Sequence, residues 1–316
     1  MPGSVARAGD CCENAEKTRY SAFLQRAVHR LTKVSNIPHT LAEVVTEIRT
    51  EPGSAEIAAS CAAVVAGSVA VRTAGTDRDA VRRRWALARV LALAAALLTL
   101  TAQVRTAGWA TGLDGTVTDW FAAHRDPVLT GLVLVVTDLG GLLGSTVVAL
   151  AAALLIRRGD LHPRALAPIT ATIVLASTVS TLTKTILARE RPPLPYRLVT
   201  QGDYAFPSGH VTTVTTLAGM ALLLYTVRRP DAHRMTIAAT IAGAAVLLIA
   251  ATRLYLGVHW LTDVVGGALL GSTVIAAAAA VVHRSPATRA WIGLAPPEET
   301  EPPAPRKHAE HGATLR

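Results

Sequence analysis

The sequence predicts an all-α, polytopic membrane protein with six transmembrane helices. Three observations carry this reading. About half of the 316 residues are hydrophobic, and they fall in blocks rather than in the dispersed pattern of a soluble core. Nearly uncharged windows recur at the length of a bilayer-crossing helix. Basic residues gather where those windows end.

Taken in order, the first window is Val90–Val104, extended toward Trp85 if Arg89 snorkels. The second, Pro127–Ile156, carries only Asp138; it is long for one span, and Gly140-Gly141 suggests a break or an offset within it. Ala165–Thr183, Tyr204–Val227, Met235–Thr252 and Val264–Val282 complete the six. Ala55–Val71 contains Glu56 and is rich in small residues, so it reads as a soluble helix or loose segment. The domain organisation follows: residues 1–80 are an N-terminal extension, 81–285 the membrane domain, and 286–316 a disordered tail rich in Pro and charge.

The net charge of +9 reflects topology rather than nucleic-acid binding, since the basic residues flank spans and no aromatic-basic platform is present. Arg82, Arg83 and Arg84 precede the first span; Arg157, Arg158 and Arg164 separate the second from the third; Arg228, Arg229 and Arg234 separate the fourth from the fifth. The positive-inside rule assigns these to the cytoplasm, with both termini. The loops after spans three and five then face outside. Cys11, Cys12 and Cys61 all lie in the N-terminal region and form neither a disulfide framework nor a zinc-binding spacing.

Three clusters of ionisable residues fall on that outer side. In KTILARERP, Lys184 and Arg191 are seven apart and share a helical face if the helix runs that far, with Pro192 and Pro193 stopping it. In YAFPSGH, Pro207 and Ser208 open the next span, and a Ser208-Gly209-His210 helix start presents N–H groups that suit an anion. In RLYLGVHWLTD, His259 and Asp263 are four apart, so the carboxylate can orient the imidazole, and Arg253 offers a planar fork for two phosphate oxygens. Each cluster has a plainer explanation: snorkelling basic residues, an N-cap serine, or a structural His-Asp bond beside interfacial Tyr255 and Trp260. Three such explanations would have to coincide on one membrane face, where buried ionisable groups are costly. Glu190, Asp203 and Asp263 do not form the carboxylate cage that magnesium would need.

In order and spacing, these residues resemble the type 2 phosphatidic acid phosphatase superfamily, whose signature is K-x6-R-P, P-S-G-H and S-R-x5-H-x3-D. Here the motifs read Lys184 to Arg191-Pro192, Pro207-Ser208-Gly209-His210, and Thr252-Arg253 with His259 and Asp263. Thr252 stands where the family usually has Ser, and it retains a hydroxyl. The resemblance covers Trp85 to His283 and implies a six-helix core and a metal- and cofactor-independent lipid phosphatase working through a phosphohistidine. In that scheme His259 attacks phosphorus, Asp263 orients it, and His210 protonates the leaving oxygen. Lys184, Arg191, Ser208, Gly209 and Arg253 hold the non-bridging oxygens, supported by Pro207 and Thr252. The implied partners are membrane lipids and a lipid phosphate: a polyprenyl diphosphate, phosphatidic acid, phosphatidylglycerol phosphate or a prenyl-linked sugar phosphate. The soluble vanadate-dependent haloperoxidases share the fold, and six apolar spans argue against them. A phosphotransferase and a non-catalytic transporter or phosphate-binding protein are the rival readings.

Overall fold

A computed structural model describes residues 37–50, 52–73, 79–141, 162–228 and 232–291, with residues 144, 154, 157 and 158 between them. Every long element among the described residues is a helix: α1 (Ile37–Thr50), α2 (Pro52–Thr73), α3 (Asp79–Thr106), α4 (Asp114–Ala123), α5 (Pro127–Leu139), α6 (Leu166–Leu187), α7 (Gly209–Arg228), α8 (Ala232–Tyr255), α9 (Leu261–Arg284) and the short α10 (Pro286–Trp291). Five segments are long and apolar enough to cross a bilayer: Gly53–Ala70, Ala80–Thr106, Pro163–Leu187, His233–Tyr255 and Leu261–Val282. Pro127–Asp138 and Gly209–Tyr225 are apolar but shorter. The predicted second span breaks where its glycines sit: Asp126 caps α5 through Val128 N and Leu129 N, and the helix stops at Gly140. The rest of that window, and the expected disordered tail beyond Trp291, lie outside the described residues except for Gly141, Gly144 and Leu154.

α9 is the central helix. Half of its apolar window is buried, against 22% at most for the other long segments, and it packs on α7, α3 and α6. Small residues allow that proximity: a Cβ on Gly266 would meet the Phe206 ring, one on Gly267 the Ser208 carbonyl, and one on Gly271 the Thr215 side chain, all under 3.0 Å. Of the two uses that three glycines in span six permit, narrow openings or tight packing, the structure has tight packing. The contacts seat the Phe206–Ser208 turn, with its cis Phe206–Pro207 bond, directly on α9.

The N-terminal part corrects an expectation. Ala55–Val71 is neither loose nor short; it belongs to the 22-residue α2, packed along α3. The pairing is antiparallel. Near the start of α2, Ser54 Oγ accepts from Trp109 Nε1 at 2.7 Å, beyond the end of α3. Near its other end Gly67 lies under the ring of Trp85, close to the start of α3. Small residues lower mean apolarity, but they also let two helices approach closely, which is what Gly67 does. α1 consequently sits at the end of the bundle where α3 finishes, with Thr40 against Thr116 and Val44 against Gly112. α1 therefore lies at the opposite end of the bundle from Arg82, Arg83 and Arg84, although both were expected on the cytoplasmic side.

Candidate active site

The C-terminal ends of α6 and α8 and the N-terminal ends of α7 and α9 meet at one end of the bundle, and all the predicted site residues lie there. α6 ends earlier than the Lys184–Arg191 spacing suggested. Ala188, in the left-handed region at φ 48°, closes the helix at Leu187. Arg191 therefore reaches the site from the following turn, not from a shared helical face. Both cations are buried. Lys184 Nζ donates to Asp203 Oδ2 at 2.7 Å and to the Tyr204 carbonyl at 2.6 Å. Arg191 donates through Nε to the Asp203 carbonyl, and through Nη2 to Asp203 Oδ1 and the Tyr204 carbonyl. Its Nη1 serves the Val258 carbonyl and lies 3.3 Å from His259 Nε2.

His259 also differs from the helical picture, since α9 begins at Leu261 and the imidazole sits in the preceding loop. That loop turns at Gly257, whose φ of 65° and near-contact with the Tyr196 carbonyl admit no side chain. Asp263 still reaches it. Asp263 Oδ2 accepts from Trp260 N at 2.8 Å and lies 3.4 Å from His259 Nδ1. With Nδ1–H toward the carboxylate, the lone pair of Nε2 faces Arg191 and the interior of the site. Burial first, then the charges of Arg191, Arg253 and Lys184, holds His259 well below the usual histidine range, so its ring is neutral at pH 7.

Two residues that sequence reasoning did not single out complete this side. Arg189 donates from Nη1 to Asp263 Oδ1 and to Thr262 Oγ1, and from Nη2 to Asp114 Oδ2 at 2.6 Å. Asp114, at the start of α4, accepts from Thr262 N and Thr262 Oγ1 as well, so it anchors the first turn of α9. Burial pushes the Asp114 carboxyl up, and the bonds from Thr262 and Arg189 act against that. Asp114 lies about 150 positions from Thr262 in an otherwise ordinary amphipathic stretch; its one cue was an acidic residue opening a helix.

The opposite side is built differently. Arg253 is 1% exposed, yet among the described residues only its Nη1 has a hydrogen-bond partner, the Thr137 hydroxyl at 2.9 Å; Nε and Nη2 have none there. Ser208, fully buried, precedes α7 at the N-cap position, but its hydroxyl makes no hydrogen bond among the described residues. A serine recruited only to cap would bond the helix N–H groups. Gly209 and His210 open α7, where N–H groups have no intrahelical acceptor. His210 Nε2 lies over Gly141, 3.4 Å from where a Cβ would be. Thr252 turns its hydroxyl to the Ile249 carbonyl and to Thr137, so its contact with the site runs through the group that holds Arg253. Ser208, which follows Pro207, ties the sides together, because its N donates to the Asp263 carbonyl at 2.9 Å.

This arrangement can bind an anion at Ser208, Arg253 and the α7 N-terminus, next to a neutral, oriented imidazole. Comparison with known proteins agrees with that chemistry. The profile of the PAP2 superfamily matches residues 165–287, which include every predicted site residue. An undecaprenyl-diphosphatase of Sulfolobus acidocaldarius is 34% identical over 106 residues, 32% of this chain and 47% of the relative, so the match spans about half of that protein. Among solved structures, a transmembrane PAP2-type phosphatidylglycerolphosphate phosphatase from Bacillus subtilis superposes with a TM-score of 0.54 at 22% identity, over 60% of this chain and 93% of that one. That likeness establishes the fold.

Proposed function

We propose that this chain, whose residues 165–287 match the PAP2 superfamily, is an integral membrane lipid phosphatase that hydrolyses a lipid phosphate or diphosphate ester through a phosphohistidine, without a metal. The observation that carries this reading is the pairing of a buried, neutral His259 with unpartnered donors on Arg253 and Ser208. A buried donor left unsatisfied costs about 1–3 kcal/mol. That cost is offset when phosphoryl oxygens fill the site.

In the reaction, His259 Nε2 forms a bond to phosphorus as the bond to the leaving oxygen breaks. The proton stays on Nδ1, directed at the Asp263 carboxylate, which stabilises the imidazolium character that develops. His210 gives its proton to the leaving oxygen, then takes one from the water that attacks the phosphohistidine and releases inorganic phosphate. Lys184, Arg191, Arg253, Ser208 Oγ and Gly209 N hold the three non-bridging oxygens, and this electrostatic stabilisation supplies most of the acceleration. The match to an undecaprenyl-diphosphatase supports a polyprenyl diphosphate as the first substrate to test, with phosphatidic acid and phosphatidylglycerol phosphate beside it.

Among the described residues, α3, α6, α8 and α9 are read as crossings of the catalytic core with the shorter apolar α5 and α7 beside them, and α2 as a further crossing. Arg82, Arg83 and Arg84 at the start of α3, with the C-terminal end of α7 and the N-terminal end of α8, lie at the end away from the site, and by the positive-inside rule this supports an extracytoplasmic site. With α2 crossing, α1 lies on that same side, in place of the cytoplasmic position expected for the N-terminal extension.

The test is phosphate release by the purified chain in detergent with EDTA present, from those three substrates, beside His259→Ala. Release that disappears in the variant supports the histidine mechanism; a strict magnesium requirement contradicts it. Transfer of phosphate to an added alcohol in preference to water would make the enzyme a phosphotransferase. For His210→Ala, the loss is smallest on a substrate whose leaving group needs no proton, and equal loss on all substrates removes its acid role.

A further inference from the structure

Asp203 occupies two of the phosphate clamps. Its carboxylate bonds Lys184 Nζ at 2.7 Å through Oδ2 and Arg191 Nη2 at 2.6 Å through Oδ1. The cations are buried, with side chains 11% and 3% exposed, whereas the Asp203 side chain is 56% exposed. It therefore comes from the loop at the mouth of the site, on the solvent side of both cations. A carboxylate bridging an ammonium and a guanidinium presents two acceptor oxygens, as a phosphoryl group would.

The clamps do not depend on that carboxylate for their positions. Main-chain carbonyls hold them independently: Tyr204 for Lys184, and Asp203, Tyr204 and Val258 for Arg191. Removing the carboxylate leaves those anchors in place and leaves two cations without their exchangeable partner. Arg253 Nε and Nη2 and the Ser208 hydroxyl, by contrast, make no such bond: they have no hydrogen-bond partner among the described residues.

We infer that Asp203 is an internal competitor for the phosphate site: its carboxylate holds Lys184 and Arg191 when the site is empty, yields them to the phosphoryl group, and takes them back as inorganic phosphate leaves. It thereby keeps product affinity low in a site whose three buried cations would otherwise retain phosphate. The exchange is non-covalent; two hydrogen-bonded ion pairs are traded for two others. The inference rests on the phosphate-binding reading of the site.

The experiment measures binding of inorganic phosphate to the full-length protein in detergent, by 31P NMR or calorimetry, for wild type, Asp203→Asn and Asp203→Glu. Removing one ionised competitor is worth about a tenfold change in affinity. Asp203→Asn is expected to bind phosphate about tenfold more tightly than wild type, and Asp203→Glu to remain within about threefold of it. A scaffolding role predicts the opposite sign: weaker binding in Asp203→Asn because the clamps lose their geometry. Weaker or unchanged binding in Asp203→Asn overturns the competitor. No phosphate binding by folded wild type overturns the phosphate site itself, and the competitor with it. An unfolding temperature measured without phosphate confirms that each variant is folded.

Discussion

The two sides of the site are wired in opposite ways. Behind His259, every charged group is saturated: Asp263 takes Trp260 N, His259 and Arg189, and Arg189 passes on to Asp114 and Thr262. Facing it, Arg253 and Ser208 keep buried donors without partners. A saturated network holds a side chain in one orientation, and its energy is realised whether or not substrate is present. Unsaturated donors are preorganised for charge that arrives later, and their burial is a cost until it does. The His259 side is thus constructed for position, and the opposite side holds the donors that the proposed phosphate would use.

Substitutions that separate activity from stability break or sharpen that contrast. His259→Ala has the largest effect, a loss of about 10³-fold or more in kcat, as removal of a nucleophile produces. Its unfolding temperature stays near that of wild type, and retention of more than a tenth of the activity would end its candidacy. Arg253→Met is next, with kcat/KM falling about 10²- to 10³-fold. Because it replaces a buried, half-satisfied cation by an apolar chain of similar length, stability holds or rises; a marked destabilisation would mean that Arg253 is structural. Asp114→Asn acts through Arg189 and Thr262 without reaching the substrate, so kcat falls about tenfold, KM changes little, and the unfolding temperature drops. An activity loss as large as that of Arg253→Met would erase the distinction between the two sides.

The pH dependence bears on the same contrast. Burial, followed by the charge of Arg191, keeps His259 below its ordinary value of 6.5. A neutral ring is the reactive form, so protonation of His259 sets no acid limb near 6.5 and lowers kcat/KM only further into acid. Removing a like charge lets the ring take its proton at higher pH. Arg191→Gln therefore moves the acid limb upward, besides lowering the rate; a limb that stays put would assign it to another group. Asp203, which burial alone would raise but which the bond and charge of Lys184 and the charge of Arg191 bring down to about 2, stays ionised across this range and adds no limb.

Which side a residue belongs to also decides how visible it was in the sequence. Lys184, Arg191, Ser208, His210, Arg253, His259 and Asp263 are ionisable or hydroxyl groups set beside apolar runs, and their motif spacing identified them before any contact was known. Their routes into the site were not legible. Arg191 arrives after α6 has ended and His259 before α9 begins, because Ala188 and Gly257 take positive φ and turn the chain sooner than helical counting allows. Asp114, Arg189, Thr137 and the role of Asp203 depend on partners brought together by tertiary packing, which no local pattern encodes. α2 was misread for a related reason. Its Ala, Ser and Gly dilute hydropathy, yet they form the close contact with α3 that defines the helix as part of the bundle.

The orientation of α2 separates two readings of the N-terminal region. With all native cysteines replaced, Glu47→Cys on α1 is expected to react with a membrane-impermeant thiol reagent in intact cells, and Arg83→Cys only after permeabilisation. The reverse pattern would return the site to the cytoplasmic face, and labelling of both from outside would mean that α2 and α3 do not cross in opposite directions.

The smallest effect falls on Thr252, where the family usually has Ser. Its hydroxyl donates within α8 to Ile249 and lies 3.2 Å from Thr137, which in turn receives Arg253 Nη1. The contact with the phosphate-binding group is therefore indirect, and a serine supplies the same donor and acceptor. What a serine lacks is the methyl that fixes the χ1 rotamer of a β-branched side chain. Thr252→Ser is accordingly expected to change kcat/KM by no more than about twofold, whereas Thr252→Val keeps the shape, removes the hydroxyl, and costs about tenfold through the loosened Thr137–Arg253 contact. Equal activity in both variants would mean that shape, rather than the hydroxyl, is what position 252 contributes to the unsaturated side.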